Sequence, residues 1–237
     1  LMSEDGVLRV SRQRTDMRLG MVRIVVATMV LFSLALAAAV AVYPGHDAAA
    51  RGYRFCYDFI SALGVTRTPG GHDNRFACWI FNTALGLAML TLIPYWHVRS
   101  RHVRGPRYVK ALAFLCCAGF SLGVLGVALC PYDLRPDAHN ICIYTAFALI
   151  VPGVLLLLLC SDGALSGWRY KAGWAAFAVA LLLFEGWLVT LVSHHVLPSR
   201  PVNPLLQKVN VSVFVAWMAT DLWLFSAYIR QRKRVYA

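Results

Sequence analysis

The stretch Pro131-Tyr132-Asp133-Leu134-Arg135-Pro136-Asp137-Ala138-His139 holds two residue types suited to proton transfer. An imidazole such as His139 titrates near neutral pH and can act as a general base, and a nearby carboxylate such as Asp133 can orient it. Asp58, Ser61 and Asn82 add hydrogen-bonding groups from earlier in the chain, and Glu185 adds a carboxyl from a later apolar segment. Together Asp58, Ser61, Asn82, Asp133, His139 and Glu185 are expected to line a polar ligand-binding pocket. His139 and Asp133 are the pair expected to carry any catalysis. These residue types support binding as well as catalysis, and do not decide between them.

Other chemistries fit less well. A catalytic zinc needs three protein ligands and an open position. Asp133, His139 and His194 form the best trio, but the chain has no HExxH, no helical HxxxH and no CxxC. Adjacent His194 and His195 would point about 100° apart on a helix. Ser61 with His139 and Asp133 has the composition of a hydrolase triad but lacks the GxSxG elbow. There is no Walker loop, dinucleotide fingerprint or haem motif, so no metal and no other cofactor is expected.

Two acids fall inside apolar segments. Glu185 lies about 12 Å along its helix from the outer end, and Asp221 about 20 Å, at ~1.5 Å per residue. Neither has an Arg or Lys at matching depth in this reading. A buried carboxylate without a partner is costly, so each is expected to face the bundle interior, or to be protonated and bonded to a carbonyl, Thr190 or Asn82. A proton relay through Glu185 and Asp221 is the transporter alternative. Against it, the chain shows no inverted repeat.

The elements that must position these groups are apolar helices. Of 237 residues, 59% are hydrophobic and 14% charged, well away from the usual balance of a soluble domain. Six stretches of about 20 residues suit membrane spans: 21–43, 77–96, 109–130, 139–160, 170–193 and 208–228. The expected fold is therefore all-α, a polytopic membrane protein with six transmembrane helices. Residues 1–20 form an N-terminal tail, 21–229 one six-helix domain with a long outer loop at 44–76, and 230–237 a basic tail. Arg9, Arg12, Arg14, Arg18 and Arg23 precede the apolar run from Ile24 as they would in a signal peptide, but that run is too long for one, so an uncleaved anchor is expected.

The net charge of +12 distributes unevenly. Sixteen Lys and Arg fall on the side of the termini and seven on the other, which places both termini in the cytoplasm. The charge is thus a topology signal beside anionic lipid, and no nucleic-acid partner is expected. Tyr95, Trp96, Tyr108, Trp168, Tyr170 and Tyr228 fall at the inner boundary, and Trp79 and Tyr132 at the outer one, as interfacial rings should.

Gly119, Gly123 and Gly126 make a small-residue face for close helix packing, and Pro152-Gly153 marks a bend. Seven cysteines cannot all pair within one chain. Cys56–Cys78 and Cys130–Cys142 are candidate disulfides if the outer side is oxidising, and reduced apolar filler is the alternative.

Three pieces carry a family resemblance: Asp58-Phe59-Ile60-Ser61-Ala62-Leu63-Gly64, Phe81-Asn82, and the run from Gly123 to Asp133 followed by His139. The pattern resembles a bacterial and archaeal family of six-helix membrane proteins of unknown function. That family is similar in turn to the eukaryotic Frag/DRAM/Sfk group, which includes a factor for remodelling GPI anchors. Cys130 departs from the apolar residue usual before the Pro. The resemblance implies a six-helix fold in a bacterial or archaeal cytoplasmic membrane and a membrane lipid as partner. It implies no reaction. Docking of another membrane protein on the polar outer face is a third functional class.

Overall fold

The structure is a computed structural model that describes residues 4–46, 51–161 and 202–235, with positions 167, 168, 171, 172, 174–177, 179, 181 and 183 between them. Backbone groups in apolar surroundings must bond to one another, and the apolar runs do so as helices. These are α1 (Glu4–Val42), α2 (Arg75–Ser100), α3 (Arg107–Leu129), α4 (Pro136–Leu159) and α5 (Val202–Val235), with a short 3-10 helix at Ile60–Gly64. No strand ladder forms among the described residues, only isolated bridges. All five α-helices are long and apolar enough to cross a membrane, with mean hydropathy from 1.4 to 2.6 over their most apolar windows. That length and composition mark an integral membrane protein.

Five of the six expected spans are thus present as helices. The fifth, 170–193, lies largely outside the described residues, and its described positions up to 183 are helical. The helices run past the expected ends. Residues 4–20, read as a tail, continue α1, and α2 extends beyond Trp96 to Ser100. Hydropathy marks where apolar residues stop, while the helical hydrogen-bond ladder continues into charged residues.

Consecutive helices are neighbours: α1 packs on α2 across a long connection, α2 on α3 and α3 on α4 across short ones, while α5 returns to α1. The α3–α4 contact is the closest. A Cβ on Gly123 would lie 2.9 Å from both Ala146 Cβ and the Cys142 carbonyl oxygen, so only glycine allows this approach. Gly119 and Gly126 face Leu149 and Cys142 in the same way. The small-residue face read from the sequence is this contact. The main core draws on all five α-helices and the segment near Trp174. There the Trp96 and Trp217 rings stack at 6.0 Å, and Trp174 meets Trp217 edge-on at 4.1 Å.

The α1–α2 connection, the C-terminus of α3, the N-terminus of α4 and the start of α5 meet at one end of the bundle, the loop end. The α2–α3 connection meets the C-terminus of α4 at the opposite end, where Val103 bridges Ser161.

Candidate functional site

The α1–α2 connection is held over the helix ends by buried polar side chains. Asp58 is buried and accepts bonds from the backbone N–H of Arg54 at 2.7 Å and from its guanidinium at 3.1 Å. The four-residue spacing closes a turn around this ion pair. The Tyr53 hydroxyl donates to the Asp58 carbonyl at 2.9 Å. Burial first, and then Asp58 and Tyr43, push the Tyr53 phenol well above the usual tyrosine range.

The rest of the connection is fixed by amide side chains. Buried Asn74 donates to the carbonyls of Leu63 and Val65, at 3.3 and 2.8 Å. From two turns inside α2, Asn82 donates to the Gly64 carbonyl at 3.0 Å, and the Cys78 thiol donates to the same oxygen at 3.2 Å. Gly64 must be small, since a Cβ there would lie 2.7 Å from Asn82 Oδ1.

Asp133 binds the same connection from the α3–α4 turn. Its carboxylate accepts from the backbone N–H groups of Thr66 and Arg67 at 3.0 Å, and from the Thr66 hydroxyl at 2.5 Å. Such charge-assisted bonds are the stronger kind. His139 is buried at the N-terminus of α4, with Nδ1 2.8 Å from the Cys130 carbonyl and its ring edge-on to Tyr132. A carbonyl only accepts, so Nδ1 carries the proton and Nε2 is the basic nitrogen. The expected orientation of His139 by Asp133 does not form. A backbone carbonyl orients the imidazole, and the carboxylate is occupied by Thr66 and Arg67.

α5 supplies groups that the sequence reading did not single out. Gln207 Oε1 accepts from the backbone N–H of Ile60 at 2.6 Å, and its amide nitrogen is 3.5 Å from Ser61 Oγ. Lys208, the first residue of the sixth expected span and one of the seven basic residues counted on the outer side, is buried and donates to the carbonyls of Asp58 at 2.5 Å and Pro204 at 3.2 Å. Its ammonium lies over the Tyr53 and Phe55 rings, 5.3 and 5.1 Å from their centroids. His46 Nδ1 is 3.6 Å from Asp58 Oδ1. The Arg54–Asp58 spacing is the one signal that was available in the sequence. His46 and Lys208 carry none.

Asp58, Ser61, Asn82, Asp133 and His139 therefore all lie at the loop end, each on a different partner. Glu185 lies outside the described residues, as do His194 and His195. Asp221 is at the opposite end, and its expected lack of a cation is corrected by Arg99, whose Nε is 3.3 Å from Asp221 Oδ1 with both side chains fully buried. The Tyr95 hydroxyl donates to the same carboxylate, and Arg99 also reaches Ser161 at 3.1 Å.

Among the described residues no group of His, Cys, Asp or Glu has metal-binding geometry. All seven cysteines are free thiols, so neither candidate disulfide is present. A shallow cleft beside the site is lined by Asp73, Arg75, Phe76 and Trp79. Arg75 grips the exposed Asp73 at 2.8 Å, and its side-chain and backbone hydrogen bonds hold the carboxyl down to about 2.

The class defined by fold and site is a helical membrane bundle with an ordered polar cap at one end. No family model, no curated protein and no solved structure matches the chain.

Proposed function

We propose that the chain is a six-span membrane protein, both termini in the cytoplasm, that binds or helps to remodel a lipid or lipid-linked head group at its extracytoplasmic loop end. The supporting observation is the cap itself. A connection of some 30 residues in water would need no polar anchors, yet buried Asp58 and Asn74, half-buried Asn82 and exposed Asp133 hold this one against the helix ends. Ordered loops of this length are commonly functional. Their position at the ends of apolar helices puts the polar groups at head-group depth.

Orientation follows from charge. With Arg99 and Lys208 removed from the count because they are buried in ion-pair and carbonyl contacts, the basic excess still favours the side of the termini, fifteen to six. The resemblance to the bacterial and archaeal six-helix family supports both the span number and the lipid. His139, with Nε2 as its basic nitrogen, is the residue placed to accept a proton from a bound ligand.

The test compares the lipids of cells making the intact protein or His139→Ala at equal membrane levels, by mass spectrometry. A lipid species that changes with the intact protein and not with the variant is expected. Identical lipid profiles for the intact protein, the variant and cells lacking both would overturn the proposal.

A further inference from the structure

Beside the cap, the start of α2 carries two features next to each other. The first is the cleft of about 430 Å³ lined by Asp73, Arg75, Phe76 and Trp79. The second is an exposed stripe that runs from the cleft down α2 through Thr83, Leu87 and Leu90. The steps of three and four residues from Phe76 to Leu90 keep the stripe on one helix face. From Trp79 to Leu90 the helix rises about 16 Å. That is half of the ~30 Å hydrocarbon core, the depth of one leaflet.

The charges in the cleft are paired so that one edge stays open. Asp73 takes the Nε and Nη2 side of the Arg75 guanidinium, at 2.9 and 2.8 Å, and also accepts from the Arg75 backbone N–H at 3.1 Å. A guanidinium carries five N–H donors in a rigid fork. Those on Arg75 Nη1 bond nothing among the described residues. Both side chains are well exposed, 71% for Arg75 and 60% for Asp73, so a ligand can reach the pair. Arg67 also acts on Asp73 from a distance. The Asp133 carboxylate bonded to the Arg67 backbone balances that charge. The neighbourhood is therefore neutral, and what complements it is a second dipole rather than a bare anion.

We propose that this cleft binds the zwitterionic phosphate–ammonium head group of a phospholipid, with an acyl chain lying along the α2 stripe. The phosphate accepts from the open Nη1 edge of Arg75. The ammonium donates to the outer lone pairs of Asp73 and lies against the indole of Trp79, the side chain that holds an ammonium best. Phe76 and Trp79, exposed at 70% and 74%, sit where the head group gives way to the acyl chain. The proposal goes beyond the head-group reading above, because it concerns a lipid held on the outside of α2 and stands whether or not His139 acts on one.

The experiment uses the purified full chain in uncharged detergent and measures binding by native mass spectrometry. The probes are dioleoylphosphatidylethanolamine, dioleoylphosphatidylglycerol, dioleoylglycerol and free phosphoethanolamine. The ethanolamine lipid is expected to bind at least about fivefold more tightly than phosphatidylglycerol or dioleoylglycerol. Arg75→Gln should weaken it by about tenfold and Trp79→Leu by about threefold. Asp73→Asn leaves Arg75 without its carboxylate, and the preference should pass to the anionic phosphatidylglycerol. Tyr108→Leu removes an exposed ring at the opposite end of the bundle and should change nothing. Asp73, Arg75 and Trp79 are exposed, so the variants should fold, and melting temperatures check that each does. Unchanged affinity in folded Arg75→Gln and Trp79→Leu overturns the proposal and marks the bound lipid as general boundary lipid. Equal binding of the two phospholipids to the intact chain, or tighter binding of phosphatidylglycerol, overturns the zwitterionic assignment. Free phosphoethanolamine binding as tightly as the lipid, and weakened by the same variants, upholds the head-group chemistry and overturns the lipid as its source. Binding of none of the probes overturns the proposal and leaves the lipid-profile test at His139 standing.

Discussion

Arg99 and Asp221 form an ion pair with no solvent exposure on either side chain, joining α2 to α5 across 122 residues of sequence. Arg99 falls just beyond the apolar part of α2 and reads as a loop charge until the helix is seen to continue through it. Asp221 reads as a carboxyl stranded in a span. Each explains the other's burial. The Tyr95 hydroxyl donates to the same carboxylate and Arg99 also bonds Ser161, so the opposite end of the bundle is tied from α2 to the end of α4 and to α5.

Removing one member of this pair leaves the other charge buried. Asp221→Leu and Arg99→Met are each expected to cost about 3–5 kcal/mol, and the double variant much less than their sum. Thermal unfolding of the four proteins in one detergent measures the coupling. Single losses that simply add would show that the two side chains do not depend on each other.

The cap depends on Asp133 in a different way. Asp133→Ala hands the N–H groups of Thr66 and Arg67, which lie at the solvent-exposed edge of the cap, to water, and should cost about 0.5–1.5 kcal/mol. The effect should be local. Hydrogen exchange is expected to speed up at 62–74 while α2 and α3 stay protected. Because Asp133 does not bond His139, His139→Ala should leave exchange at 66 and 67 unchanged.

Close packing of α3 on α4 gives a matched pair of glycine substitutions. Gly123→Val puts side-chain carbon where Ala146 and the Cys142 carbonyl already lie, and overpacking of this kind costs about 1–3 kcal/mol or more. At Gly20 in α1 an added methyl group would meet nothing within 4 Å, so Gly20→Ala should instead stabilise by about 0.5–1 kcal/mol through helix propensity. Melting temperatures should move in opposite directions.

How much of this was legible in the sequence depends on how local the cause is. Apolar runs announce helices because a membrane constrains contiguous residues. Gly119, Gly123 and Gly126 announce a contact because their spacing keeps one helix face small. Asn82, Asp58 and Asp133 stand out as polar residues in odd places, but their partners are backbone groups of Gly64, Arg54, Thr66 and Arg67, which have no sequence signature. The Asp133–His139 pairing fails for this reason: a carbonyl nearby competes for the imidazole and two amides for the carboxylate. Lys208 is the extreme case, since its partner is a carbonyl 150 residues away.

Tyr53 gives a pH test outside the spans. Its raised folded value means that the neutral phenol is favoured by folding. The stability it contributes is complete below the ordinary value of 10.0 and is lost as pH rises through that value towards the folded one. In an absorbance titration of the ten tyrosines, Tyr53→Phe should remove a component ionising well above pH 10. Removal of a component near pH 10 would show that the phenol is not held by its burial.

Cys56 tests the orientation. It is exposed in the cap, whereas Cys78, Cys116 and Cys117 are buried and Cys130, Cys142 and Cys160 are half-buried. All are free thiols, so a membrane-impermeant maleimide should label Cys56 first. With the termini in the cytoplasm, labelling is expected on intact cells and should disappear in Cys56→Ser. Labelling confined to inverted vesicles would place the cap in the cytoplasm. The excess of basic residues at the termini would then need a cause other than topology, and the head group bound at the cap would belong to the inner leaflet.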